Sequence, residues 1–246
     1  MAMPTRESFA AAKRILAWLS NRPEVGVTYG APHLTRLEDL LPPQRDVMPM
    51  DDERDYSFHV VVDSDLPGRD MKPREPDCTD PIDKASHRAQ LGYAACLAGG
   101  AFESASKRQH STAVDTAAAE MMAASVSGAV LVHLVGVLCF VTYGVLGMQR
   151  VRVWCDNEAA VMAGNDATSI KRLAYIARRV RFLQELVDRG ICSLLDVPGE
   201  ANPADALTKH ITPKQLFYDY MARLYNTGVD SFKAQPGRLD RMHANR

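Results

Sequence analysis

The 246-residue chain is 46% hydrophobic and 24% charged, the composition of a folded soluble domain rather than of a disordered segment. Its 29 Lys and Arg against 30 Asp and Glu leave a formal net charge of -1, so no global basic field marks a polyanion binder and any nucleic-acid contact must come from a local patch. Five cysteines, an odd number with no Cys-x-x-Cys pair, argue against a disulfide framework or a zinc site and for reduced thiols in an intracellular compartment, cytoplasmic or nuclear.

The first element, "PTRESFAAAKRILAWL", reads as a helix started by Pro4 and Thr5, with Phe9, Ala12, Leu16 and Leu19 on one stripe. Arg6, Glu7, Lys13 and Arg14 interrupt any secretory apolar core; an amphipathic transit peptide is the alternative. "SNRPEVGVTYG" follows as a turn and a short strand, so residues 1–30 form one unit. Residues 31–55, rich in Pro, Asp and Arg, read as a linker.

Regular patterning begins at Tyr56. "FHVVVDSD" is a strand with Phe58, Val60 and Val62 on one face and Val61, Asp63 and Asp65 on the other. A loop with four prolines (Pro67, Pro73, Pro76, Pro81) leads to "AQLGYAACLAGGAFESASKRQ", two strands around a Gly99-Gly100 hairpin signal. A long helix is expected from about Thr116 to Val145, a buried strand at 151–155 ("VRVWC"), a short helix at "EAAVMAG" and a longer one from about Ile170 to Arg189. In the longer one Leu173, Ala177, Val180 and Val187 make the core stripe. A strand at 192–197 precedes "NPADALTKH", read as the opening of a final helix with Pro203 in its first turn. This order predicts an α/β domain over residues 56–212, a mixed sheet of about five strands flanked by helices, with a helical or flexible tail over 213–246.

Residues 126–148, "VSGAVLVHLVGVLCFVTYGVLGM", are long enough to span a bilayer and carry only His133 as an ionisable group. The expectation is instead a helix buried on most sides against the sheet, with Ala129 and Gly136 allowing close approach and no membrane partner; a membrane anchor is the rival reading.

Four acids fall at element ends or helix faces where they can converge: Asp63 ending the first strand, Glu120 one turn into the long helix, Asp156 after "VRVWC", and Asp205 after Pro203. Sites in open α/β sheets gather at the carboxyl ends of strands. Clustered carboxylates raise each other's pKa, a conflict that hard divalent cations such as Mg²⁺ or Mn²⁺ remove. Two such ions about 3.5–4 Å apart suit phosphodiester hydrolysis. Taken singly, each acid is also explained by strand-end solvation, a helix-face charge, a turn, or a partner for a helix N-terminus.

"VVVDSDLPG", "HSTAVDTAAAEMMAAS", "VWCDNEAAV" and "NPADALTKH" resemble, in order, the signature segments of the ribonuclease H domain of copia-type retrotransposon polyproteins. "QLGYAACLAGGAFESASKRQ" is similar to that family's second and third strands, and "PTRESFAAAKRILAWL" to the helix that ends the reverse transcriptase part upstream. The resemblance spans residues 4 to about 212. It implies a ribonuclease H-like fold and metal-dependent endonucleolytic hydrolysis of the RNA strand of RNA–DNA hybrids. Two Mg²⁺ ions, or Mn²⁺, would be bridged by Asp63. Glu120 and Asp156 would sit on the leaving-group side and Asp205 on the side that activates water. Asp65 competes with Asp63 for the first role. A reverse transcriptase encoded upstream or elsewhere is the implied protein partner.

Lys107, Arg108 and Gln109, ending the third strand, are candidate contacts to the sugar-phosphate backbone, with Asn157 beside Asp156 and with Lys171 and Arg178 of a basic helix face that also carries Arg179 and Arg181. Two departures from the pattern stand out. Lys171-Arg172 replaces a frequent Lys-His pair, and the long helix is unusually apolar. A catalytically silent hybrid-binding or structural module that keeps the fold is the alternative function.

Overall fold

The computed structural model describes residues 10, 13–14, 16–17, 26–29, 58–66, 88–141, 150–166 and 173–227. The proposed 31–55 linker, the proline loop, Lys171 and the ends of the 126–148 and 170–189 segments lie outside them.

Five strands form one mixed sheet: β1 (Phe58–Asp65), β2 (Gln90–Leu97), β3 (Gly100–Arg108), β4 (Val151–Cys155) and β5 (Cys192–Asp196), in the order β3-β2-β1-β4-β5. β1 pairs antiparallel with β2 and parallel with β4, and β5 extends the parallel half. This is the mixed five-stranded sheet flanked by helices that the motif order predicts. The two-residue connection between β2 and β3 holds Ala98 and Gly99 at φ of 50° and 86°, the positive values that a tight right-twisted hairpin demands at both positions. The turn thus sits one residue earlier than the Gly99-Gly100 signal. Gly100 serves a different need, since a Cβ there would stand 2.6 Å from the Thr28 carbonyl oxygen.

The strand alternation sorts side chains into two cores. Val60, Val62, Leu91, Tyr93 and Ala95 face the layer of α1 (Thr116–Val141), α2 (Glu158–Asn165) and α3 (Ala177–Asp188). Val61, Ala94, Cys96 and Trp154 face the opposite layer, made by a 3₁₀ turn (Pro203–Leu207) and α4 (Lys214–Tyr225). The single helix expected to open at "NPADALTKH" is therefore two elements. Pro213 has no N–H to donate and restricts Thr212, so the chain breaks there and restarts with Pro213 as the N-cap of α4. Within the stretch expected to be helical or flexible, α4 buries Tyr220, Ala222 and Leu224.

Its C-terminus also organises the N-terminal side, where Gly26–Tyr29 form no strand. The Thr28 N–H donates to the Tyr225 carbonyl (2.9 Å), the Asn226 amide donates to the Thr28 carbonyl (3.1 Å), and the Tyr29 hydroxyl reaches the Ala101 carbonyl (3.3 Å). Helix α3 follows a 3₁₀ turn at 173–176 and buries Val180, Leu183, Gln184 and Leu186, with Arg178 and Arg181 outward.

Helix α1 departs most from expectation. Residues 118–125, together with Ser127, Gly128 and Leu131, are buried between the sheet and α3. A Cβ on Gly128 would stand 3.1 Å from Leu183, so this is the small residue that lets two helices close up. Beyond Leu131 none of the described residues is fully buried: Leu134, Val135 and Leu138 pack half-buried against the core, while Val137 is 45% exposed, Phe140 85% and Val141 64%. Ala129 is exposed and a Cβ on Gly136 would meet nothing within 4 Å, so neither approaches a strand. The reason is length, because 26 residues at 1.5 Å each outrun eight-residue strands of about 3.3 Å per residue. By length and composition the helix Thr116–Val141 is apolar enough to cross a membrane, but its first part is buried against the sheet. It is tied at one end to the core, and the chain rejoins the same sheet at Val151.

Burial at this resolution of the helix predicts two contrasting outcomes in urea unfolding. Met121→Ala, in the wholly buried half, should cost about 2–5 kcal/mol. Phe140→Ser should change stability by less than about 0.5 kcal/mol. A loss above 2 kcal/mol for Phe140→Ser would show that its exposed turn is packed in solution.

Candidate metal centre

The parallel pair β1 and β4 brings Asp63 and the residue after Cys155 to adjacent strand ends. Asp63 is fully buried and its side chain points to the face covered by the Pro203–Leu207 turn. That turn lies directly on the sheet because Gly92, paired with Asp63 in register on β2, has no side chain. A Cβ there would stand 2.7 Å from Thr208 Cγ2 and 2.8 Å from Leu207 Cβ. Asn202 fastens the turn from the other side: its Oδ1 accepts from the Ala204 N–H (3.1 Å) and its Nδ2 donates to the Val62 carbonyl (2.8 Å), one residue before Asp63. Pro203 fills the first helical position, where no N–H is needed. Asp205 follows in the first turn.

Carboxylate oxygens of Asp63, Asp156 and Asp205 consequently lie within 4.8 Å of one another. Glu120 arrives from the α1 layer. Its Oε1 accepts from the Ser64 N–H (2.8 Å), its Oε2 from the Cys155 thiol (3.7 Å), and it forms a second trio with Cys155 and Asp156 on the same 4.8 Å scale. All four acids nominated from the sequence thus meet where the two layers join, and Asp156 belongs to both trios. Asp65, the competitor of Asp63, belongs to neither; it lines a cleft with Arg88, Gln90, Ser106, Arg108 and Lys209.

Crowding of like charge is written into the protonation of the group. Burial, then Asp63 and Asp156, push Glu120 well above the ordinary carboxylate range, against the pull of the Ser64 N–H. Burial and Asp63 raise Asp156. Burial and Asp63 raise Asp205 to about 6 despite its hydrogen bond from Lys209. Burial by itself would lower Lys209, but Asp63 and then Asp205 outweigh it and hold the ammonium strongly charged. Burial and then Asp63 outweigh the single lysine, so Asp205 stays raised although its partner is a cation. Burial, followed by Glu120, keeps the Cys155 thiol protonated, so the donor set that remains is all oxygen and fits hard divalent cations.

Other nominated residues separate. Lys107 and Arg108 are exposed at the end of β3, and Arg178 is exposed on α3. Gln109 does not face solvent: it is buried, and its amide donates to Ser64 Oγ (2.9 Å) and to the Ala119 carbonyl (2.8 Å), tying β1 to α1 behind the site. Asn157 spends its Oδ1 as the N-cap of α2, accepting from the Ala160 N–H (3.0 Å). Sequence reasoning left out Thr208, whose hydroxyl donates to Asp63 Oδ2, and Lys209, whose Nζ lies 2.8 Å from Asp205 and 3.3 Å from Asp63. The four-residue spacing of Asp205 and Lys209, closed by a Lys209 N–H to Asp205 carbonyl bond of 2.9 Å, was the available signal.

Two outcomes follow for metal-free protein in EDTA. Above about pH 4 the unfolded chain has lost carboxyl protons that Asp205, Asp156 and Glu120 keep in the fold. The native state therefore binds more protons, and stability falls as pH rises through about 6. Lowering the pH from about 7 to about 5 should raise the melting temperature, and Asp205→Asn should shrink that rise; a flat profile would contradict the crowding described. Asn202→Ala should cost about 2–4 kcal/mol in chemical denaturation, combining a lost cap with an unpaired buried carbonyl.

No protein-family model matches the chain. It is 29% identical over 132 residues to the retrovirus-related Pol polyprotein from transposon TNT 1-94 of Nicotiana tabacum, an alignment covering 54% of this chain and 10% of that polyprotein. The chain therefore spans about a tenth of its relative. Among solved structures it aligns with LC11-RNase H1, isolated from compost by a metagenomic approach (16% identity, 62% of this chain and 93% of that one, TM-score 0.42). It also aligns with RNase H1 from the halophilic archaeon Halobacterium salinarum (16% identity, 62% and 94%, TM-score 0.40). By sequence, then, the chain is similar to a retrotransposon Pol polyprotein, the kind of protein that its ordered motifs resemble.

Proposed function

We propose that this chain is the ribonuclease H part of a retroelement polyprotein, hydrolysing the RNA strand of RNA–DNA hybrids with two Mg²⁺ ions, for which Mn²⁺ can substitute. The observation that carries this reading is the convergence of Asp63, Asp156 and Asp205 within 4.8 Å, joined through Asp156 by Glu120. Motif order and the similarity to a Pol polyprotein support it. When bound, the cations would neutralise the four acids, acidify the attacking water and stabilise the leaving oxygen.

The chain's own residues do the positioning. Asp63, on a paired central strand and wholly buried, would be a rigidly held ligand. Glu120 and Asp156 would serve the leaving-group side, and Asp205 the side on which water attacks. Thr208 orients the second oxygen of Asp63. Lys107, Arg108 and Arg178 are placed on the surface to meet backbone phosphates, with selection of RNA resting on its 2′-hydroxyls and groove shape. A reverse transcriptase, encoded upstream or elsewhere, would supply the hybrid in an intracellular compartment.

One observation favours the silent hybrid-binding module instead. Lys209 already pairs with both Asp63 and Asp205, and so offsets part of the charge that a metal would otherwise meet. Purified chain, labelled RNA–DNA hybrid and Mg²⁺ separate the two. The enzyme reading expects cleavage of the RNA strand that EDTA stops. It expects Asp63→Asn and Asp205→Asn each to lower cleavage by orders of magnitude, with hybrid affinity in gel shift retained. Hybrid binding without cleavage in Mg²⁺ or Mn²⁺ would establish the silent module. Full activity in Asp205→Asn would remove that acid from the machinery.

A further inference from the structure

Lys209 is the feature of the site that the four-acid account leaves over. Its ammonium lies 3.3 Å from Asp63 Oδ1 and 2.8 Å from Asp205 Oδ1, with its side chain only 34% exposed and that of Asp63 1%. These are oxygens of two of the three carboxylates that converge within 4.8 Å. Asp63 Oδ2 accepts from the Thr208 hydroxyl and Oδ1 accepts from Lys209, so a cation that approaches Oδ1 meets the ammonium there. An ammonium and a divalent ion cannot share that lone-pair space without strong repulsion at these separations.

We propose that Lys209 is a built-in competitor for the divalent cation: an internal counter-ion that stabilises the acid cluster by itself and must withdraw from Asp63 for the ion to bind. The proposal rests on the reading of the cluster as a cation site. Beside Lys209 the structure provides somewhere to withdraw to, since it lines the cleft that also holds Asp65, Ser106 and Arg108. A displaced ammonium there meets a fresh carboxylate in Asp65, and it joins Arg108 on a surface suited to a phosphate. The cation site would then carry a threshold. Binding the ion costs the Lys209 ion pairs, and anything that recruits the ammonium into the cleft, a phosphodiester above all, lowers that threshold.

The test needs no catalytic readout. Mn²⁺ is titrated by calorimetry into EDTA-stripped, dialysed protein, and melting is followed in EDTA, for the full chain, Lys209→Gln and Lys209→Arg. The expected result for Lys209→Gln is a dissociation constant tighter by about tenfold or more, the size of a one-pKa-unit charge interaction, together with a melting temperature in EDTA lower by several degrees. Lys209→Arg, which keeps the charge, should stay near the native chain in both. A Lys209→Gln protein that folds only when Mn²⁺ is added would also support the proposal, because the ion would be replacing the missing ammonium. Equal or weaker Mn²⁺ binding by Lys209→Gln overturns it, as does a variant unfolded with or without Mn²⁺. Failure of every protein, Lys209→Gln included, to bind Mn²⁺ would instead overturn the cation-site reading on which the proposal stands.

Discussion

The constraint on which the rest of the site depends is the burial of Asp63. A carboxylate with no solvent access at the end of a central strand is costly unless charge and hydrogen bonds compensate it. Almost every local departure from plain packing near it does so. Gly92 surrenders its side chain so that a polar turn can descend. Asn202 pins that turn to the carbonyl before Asp63. Thr208 and Lys209 then deliver a hydroxyl and an ammonium to its two oxygens. The compensation is incomplete, because Asp156, Asp205 and Glu120 crowd the same space and are pushed toward their neutral forms. A protein selected for stability alone would place apolar residues at several of these positions. That unresolved repulsion is what a bound cation would relieve.

The second consequence of the geometry is that the site welds the two layers. Glu120 belongs to the helical layer, Asp205 and Lys209 to the opposite one, and Asp63 and Asp156 to the sheet between. The four acids meet near the carboxyl ends of β1 and β4, between the two apolar cores. Gln109 repeats the device behind them by bridging Ser64 to Ala119. Polar contacts at this edge therefore set how α1 and the Pro203–Leu207 turn are held relative to each other, and a change of charge in the cluster is felt by both.

Much of this was legible in the sequence, for reasons that can be named. The alternation of "FHVVVDSD" declares a two-faced strand, and its faces separate into the two cores as the pleat requires. Acids directly after apolar runs mark strand ends. What escaped has equally definite causes. The apolar run of α1 has no polar stripe, so composition could not reveal that full burial ends at Leu131; that depends on the length of strands elsewhere. Gln109 reads as a polar strand end because its partners lie 10 and 45 residues away. The break before α4 hinged on Pro213, outside the motif that drew the eye. Lys209 is inconspicuous within "NPADALTKH", since an i,i+4 pair is usually a surface interaction of small value.

Burial changes the weight of that pair. On an open helix face an Asp and a Lys four residues apart contribute a few tenths of a kcal/mol and are screened by salt. Here the same spacing ends in a turn pressed against the sheet, and Lys209 acquires a second carboxylate, Asp63, contributed by a strand 146 residues earlier. A local, weak interaction thereby becomes part of a long-range one whose other members are buried acids. The motif residues between and around them, Pro203 fixing the turn and Thr208 reaching Asp63, keep the two charges at that register. The chemistry of the site thus rests less on the number of acids than on how firmly the Pro203–Leu207 turn is seated on a strand that it meets only in the folded chain.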